Sequence, residues 1–420
     1  MVQRTDEISN CPKCGHQIRV DRRYVTWCDR CDWNVDPTPN EDRTPPWRLR
    51  LEQRLAEALY RELETGHVHR PGWDAARISA HVLSALILLL PLLALLVGIA
   101  LLVFYRPLWL SALLALVAFA VVFLLRPRAA HPPEDVHPVP RDQAPTLYAV
   151  LDELADTIGT RRVAAVVVNT DANLWYQQAG WRFRPVVCIG LPLWAGLRPQ
   201  ERIAILAHEL GHGRHGDARS NWLVNAAWSV LDELNATFSE QYGDRVRREL
   251  GYDDPTGATM VSRMLNATIG TLVRGVAWLL ERLQLRGDQR AEYLADRQAG
   301  EIAGSEATAQ ALERLGLADA SYRAMERALR FPTEIDPLEA VRREVSEVPA
   351  REIERQLRVS RLREARTDAT HPPTYLRTKL IRTRPATTAR LVLGIDRSRV
   401  IDQELQPAAA KALAELRASL

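Results

Sequence analysis

The sequence predicts an α+β protein, mainly α, with a small β-sheet, preceded by a four-cysteine metal ribbon and a two-helix transmembrane hairpin. Three observations carry this. Beyond Pro199 almost every segment has helical apolar spacing, whereas β-branched runs occur only at Val163–Val168 and Arg184–Gly190. Four of the five cysteines stand within the first 31 residues as two Cys-x-x-Cys pairs. Two long uncharged stretches follow one another before residue 126.

At 420 residues the chain exceeds what one core organises, so two or three structural units are expected. Fifty-five basic against 52 acidic residues leave a formal charge of +3, and no nucleic-acid partner is expected. Lys13, Lys379 and Lys411 are the only lysines, an arginine bias that fits a GC-rich bacterial genome.

Residues 1–40 read as a zinc ribbon. Cys11 and Cys14 are separated by 13 residues from Cys28 and Cys31, a spacing in which each pair forms a knuckle and tetrahedral zinc takes all four sulfurs. Such a site has no open position, so this metal is structural. Disulfides require an oxidising compartment, and polar Met1–Asn10 has no apolar stretch of a secretion signal. The ribbon's partner is left open by the sequence.

Residues 41–78 read as a linker and an amphipathic helix. Thr44 is placed to cap it, and Leu51, Leu55, Leu59 and Leu63 recur every fourth residue, a stripe expected to dock on protein rather than lipid. In the hairpin, 79–126, Val82–Tyr105 and Pro107–Leu125 are uncharged over 24 and 19 residues, enough to cross about 30 Å of hydrocarbon at about 1.5 Å per residue. Arg61, Arg70, Arg77, Arg126 and Arg128 flank it while only Arg106 occupies the turn, so both ends are expected in the cytoplasm of a plasma-membrane protein. Residues 127–145 read as a tether with His131 and His137 solvated. A catalytic domain is expected over 146–385, with a helix at Leu147–Ile158, the two strands, and an edge strand within Asn169–Trp181. Asn221–Phe238 and Val261–Leu285, interrupted by Asp232, Glu233, Arg263 and Arg274, are read as helices of that domain, and 386–420 as a tail.

The sharpest signal is His208-Glu209-Leu210-Gly211-His212 on an apolar helical pattern. Histidines at i and i+4 share one helix face and both reach a zinc, with Glu209 beside the point where the metal activates water. A third ligand is needed. His215 is one source, although Gly213 and Gly216 flank it; Glu292 on a second helical segment is another, with Asp296 one turn later able to orient a ligating imidazole. On its own residues that segment reads rather as an exposed acidic helix.

The arrangement resembles the membrane-anchored gluzincin metallopeptidases of the HtpX and CAAX prenyl endopeptidase type. Leu206-Ala-His-Glu-Leu-Gly-His212, Glu292-Tyr-Leu-Ala-Asp296 and Thr370-His-Pro-Pro-Thr-Tyr-Leu-Arg377 carry the resemblance, which covers roughly Leu147 to Arg377. It implies a gluzincin-type domain with His208, His212 and Glu292 as ligands of a catalytic zinc, Glu209 as general base and Asp296 behind the ligands. His371 and Arg377 match the late His and Arg that approach the active site, and Asn173 the residue that opens the substrate-pairing edge strand. Asp288-Gln289 and Leu174 depart from the family's usual residues, which bears on substrate contacts more than on the metal. For the oxyanion the candidates are His371, Arg377 and Tyr293. The expected function is a membrane-anchored zinc endopeptidase acting on protein or peptide substrates, in the manner of HtpX-type quality control. The alternative is an inactive membrane adaptor whose ribbon recruits a partner, which intact Glu209 argues against. Prenyl-protein processing is disfavoured because enclosing membrane helices are lacking.

Overall fold

The computed structural model describes residues 7–37, 46–66, 75–128, 135–180, 182–215, 222–238, 257–331, 335–363 and 372–420. Thr44, His131 and His371 lie outside them. The chain forms two compact units, both discontinuous: the first combines Met1–Arg70, Pro132–His215 and Gln289–Leu420, the second Pro71–His131 and Gly216–Asp288.

In the first unit, strands β1 (Glu7–Asn10) and β2 (Gln17–Val20) form an antiparallel ribbon hairpin. Helix α1 (Pro46–Thr65) follows. Its Leu59 and Leu63 are buried against Tyr293, Leu294, Leu376 and Leu380, so this part of the stripe docks on protein as expected, whereas Leu55 is exposed.

A four-stranded sheet is built from β3 (His137–Val139), β4 (Ala165–Asn169), β5 (Leu174–Ala179) and β6 (Arg184–Gly190). Its order is β3-β4-β6-β5, with β4 and β6 parallel and the other pairs antiparallel. The edge strand expected within 169–181 is β5. Strand β3 was not expected. Over 135–145 the tether reading is corrected, and with it a solvated His137: Pro138 is tolerated because β3 lies at an edge, and His137 is largely buried, 3.3 Å from Glu415.

Helix α4 (Pro145–Ile158) presents Leu147, Leu151, Leu154 and Ile158 at helical spacing to the core. The short α5 (Leu191–Gly196) leads into α6 (Pro199–His215), whose Ile203, Leu206 and Leu210 fill the same core against Val166, Val187 and Ile189. Residues 386–420 are not a tail. They contain α14 (Ile395–Ser419), whose Ile401, Leu405 and Ala412 join this core. Between lie α9 (Ser305–Leu315), α10 (Ala318–Arg330), α11 (Pro337–Ser346), α12 (Ala350–Arg363) and α13 (Thr374–Thr383).

The second unit holds α2 (Ala75–Phe104), α3 (Leu108–Leu124), α7 (Trp222–Thr237) and the first part of α8 (Gly257–Ala303), which from Gln289 belongs to the first unit. Helix α2 is long and apolar enough to cross a membrane; α3 is apolar but only 17 residues long, shorter than the 19-residue uncharged run that contains it. The pair packs closely, since a Cβ on Gly98 would lie 2.8 Å from the Phe119 ring. Ile87, Val224, Val230 and Leu280 form this unit's core, so 222–237 and 257–288 pack with the apolar helices. The outer faces of α2 and α3, with Leu86, Leu93, Val97, Leu116 and Phe123, stay exposed.

Candidate metal centre

Helix α6 places His208 and His212 one turn apart, and α8 passes beside it with Glu292 and Asp296 one turn apart. The helices approach closely at Gly211, where a Cβ would meet Ala295 at 3.4 Å. Gly213 is needed for a second approach: a Cβ there would stand 2.7 Å from the Tyr176 hydroxyl of β5. Thus the two glycines around His212 let a helix and an edge strand close on the histidine face.

The Nε2 atoms of His208 and His212 are 3.2 Å apart, and the Glu292 carboxylate faces both, with Oε2 3.3 Å from His208 Nε2 and Oε1 3.3 Å from His212 Nε2. Three donors at about 2.0–2.1 Å from a tetrahedral zinc are separated by about 3.3 Å, so nitrogen and oxygen atoms converge as that ion requires. Two imidazoles and a carboxylate are also the donor chemistry that zinc prefers. His208 and Glu292 are nearly buried while the His212 side chain is 26% exposed, so the site opens beside His212.

Asp296 completes the back of the site. Its Oδ1 is 3.0 Å from His208 Nδ1, which fixes the tautomer that turns Nε2 toward the donor cluster. Burial disfavours a charged His208, but the hydrogen bonds to Asp296 and Glu292 outweigh it and push its pKa up to about 10. The pocket favours positive charge. Burial works against the Asp296 carboxylate, yet Arg377 overcomes this and holds it below the usual carboxylate range. Arg377, itself buried, makes two hydrogen bonds to Asp296, at 2.8 Å from Nε and 2.7 Å from Nη2, and Nη2 lies 3.4 Å from Glu292. The structure therefore seats Arg377 behind His208 as a counter-ion.

Glu209 accepts the main-chain N–H of Tyr176 at 3.1 Å, a contact that no sequence pattern announced because it uses backbone. Asn173 immediately precedes β5, is exposed, accepts the N–H of Leu174 on its side chain and that of Gly190 on its carbonyl. Tyr293 is buried among the α1 and α13 side chains, and that burial raises its pKa. His371 lies outside the described residues. His215 is the last residue of α6.

The second ligand cluster is the ribbon. Sγ atoms of Cys11 and Cys31, and of Cys14 and Cys28, are 3.6 Å apart, and all four lie within 4.8 Å of one another. These are not disulfide distances; they approach the roughly 3.8 Å expected of four thiolates around one zinc. The N–H of Lys13 points at Cys11 Sγ.

Residues 142–385, more than half of the chain, match the model of Peptidase family M48. Protease HtpX of Chromohalobacter salexigens is 29% identical over 175 residues, 39% of this chain and 55% of that protein. The chain thus spans about half the length of the curated relative it matches. The matched segment begins just before α4 and ends after α13, so it contains His208, Glu209, His212, Glu292, Asp296 and Arg377. With the donor triad, the general-base candidate and the family match falling on the same residues, the chain belongs to peptidase family M48.

Proposed function

We propose that the chain is a membrane-anchored zinc endopeptidase. The observation that carries this reading is the convergence of His208, His212 and Glu292 with Glu209 held beside them by β5. Zinc held by those three residues supplies Lewis acidity, acidifying water and polarising a peptide carbonyl. Glu209 takes the water proton and returns it to the leaving amine. Asp296 keeps His208 in the tautomer that directs Nε2 at the metal, and Arg377 holds Asp296 ionised. Strand β5 lies at a sheet edge next to Glu209, which supports pairing of an extended substrate backbone there, with Asn173 at its entrance. For the oxyanion, His371 is our remaining candidate from the sequence, since Arg377 is committed to Asp296 and Tyr293 to the α1 packing.

The anchor is the α2–α3 hairpin, both ends cytoplasmic, and the exposed apolar side chains of those helices support a lipid surround. The ribbon holds a second, structural zinc. The name of the relative, Protease HtpX, supports action on protein substrates, for which we propose membrane-protein quality control.

The test uses the full chain in detergent with casein as substrate. Glu209→Gln is expected to keep the metal at His208, His212 and Glu292 and to lose about 10²- to 10⁴-fold in rate. Glu292→Ala is expected to lose both that metal and activity. Proteolysis unchanged in Glu209→Gln would assign the activity elsewhere.

A further inference from the structure

Residues 7–37 and 46–66 precede the family-matched segment, yet side chains in both pack on elements that carry the site or lie next to it. Trp27, 1% exposed, sits with Val35 against Val359 of α12. Arg351, Arg355 and Arg358 recur at helical spacing along α12 and so share one face. Arg351 and Arg358 lie over the Trp27 ring at 5.0 and 4.9 Å. Arg351 also donates to the Trp27 carbonyl, buried Arg355 to that of Val35 at 2.7 Å, and Arg358 to that of Asp29 at 2.6 Å. All three acceptors lie in 27–35, the segment that contains Cys28 and Cys31.

Main-chain carbonyls are presented in this way only while the knuckle is folded. The ribbon's own core is little more than Cys11, Ile18 and Cys28, so a bound metal must supply most of its folding energy. Farther along α12, Ser360 is buried and its Oγ accepts the N–H of Tyr375, the second residue of α13, at 3.1 Å. Two residues later α13 presents Arg377 to Asp296.

We propose that the four-cysteine ribbon acts in cis as a metal-dependent brace. With a metal held by Cys11, Cys14, Cys28 and Cys31, Trp27 and Val35 fix α12, Ser360 fixes the first turn of α13, and Arg377 is thereby held behind His208 and Glu292. Trp27, Arg355 and Ser360 are positioning residues; none touches the reacting atoms. The kinetic part of the test rests on the peptidase reading, whereas metal content and hydrogen exchange do not.

The test compares the full chain with Cys28→Ser and Arg355→Ala, measuring metal per chain, amide exchange and casein hydrolysis. Cys28→Ser is expected to lose one metal ion. Its 374–383 amides should exchange about tenfold faster while those of 165–190 do not change, and kcat should fall about tenfold with KM within about twofold, a coupling of about 1.4 kcal/mol. Arg355→Ala is expected to keep both metals and still accelerate exchange in 374–383, with Arg355→Lys restoring part of the protection. Should Cys28→Ser precipitate, Arg358→Gln, which is partly exposed, carries the same expectation as Arg355→Ala. Cys28→Ser retaining both metals, or unchanged 374–383 exchange in either the metal-depleted or the arginine variants, would overturn the brace and leave the ribbon an independent module. Activity absent from every form, with the exchange changes present, would instead count against the peptidase reading alone.

Discussion

Asp296 serves two buried partners at once, the His208 imidazole and the Arg377 guanidinium. Removing Arg377 leaves Asp296 and Glu292 close together without their counter-charge, and breaking such a buried pair costs about 3–5 kcal/mol. Arg377→Ala should lose that much in chemical denaturation, and Arg377→Lys less, because a lysine keeps the charge but not the forked hydrogen bonding. Asp296→Asn is expected to weaken metal binding about 10- to 100-fold in chelator competition, with the fold retained. The two histidines were legible because an i, i+4 pair on an apolar helix permits few other readings, whereas Glu292 was singled out by the family resemblance, its own segment reading by itself as an exposed acidic helix. The role of Arg377 was not legible, since a guanidinium aimed at an oxyanion and one aimed at a carboxylate look alike in sequence. Nor was the Tyr176 contact, which depends on strand placement rather than side-chain identity.

Strand β3 and the docking of α14 in the core escaped the sequence for different reasons. Strand β3 is three residues with a proline in the middle, too short for alternation to register. Helix α14 presents Ala408, Ala409 and Ala412 to the core and contains Pro407, so its apolar stripe is weak although its packing is extensive. Its Glu404 accepts the N–H groups of Thr146 and Leu147 at 2.8 and 2.9 Å, capping the first turn of α4 from a distant part of the chain. Ala144, the residue preceding α4, provides no side-chain cap of its own. Glu404→Ala should therefore cost about 1–2 kcal/mol, by losing both hydrogen bonds and the favourable charge at a helix N-terminus, measured as a lowered denaturation midpoint. By contrast α1 was readable, because leucines every fourth residue specify a buried face, and Leu59 and Leu63 occupy one.

For the whole molecule, the unit organisation was the least legible level. The charged interruptions Asp232, Glu233, Arg263 and Arg274 led Asn221–Phe238 and Val261–Leu285 to be read as helices of the catalytic domain, whereas side chains such as Val224, Val230 and Leu280 pack in one core with Ile87 of α2. The hairpin's flanking arginines lead us to expect that reporters fused after residue 40 and after Leu420 both read cytoplasm; an external signal at either end would reverse the topology. The chain also leaves the first unit just after His212 and returns just before Glu292. A metal joining these residues is thus a cross-link across a loop of about 80 residues, and closing a loop of that length with a covalent bond removes about 4.5 kcal/mol of unfolded-chain entropy. Chelation should consequently lower the melting temperature of the Glu209→Gln protein, in which no proteolysis confuses the measurement, and zinc should restore it. On the proposed reading, an ion bound there would also act as a staple gathering in residues 216–288, so that metal supply would govern how long the protein survives as well as how fast it cuts.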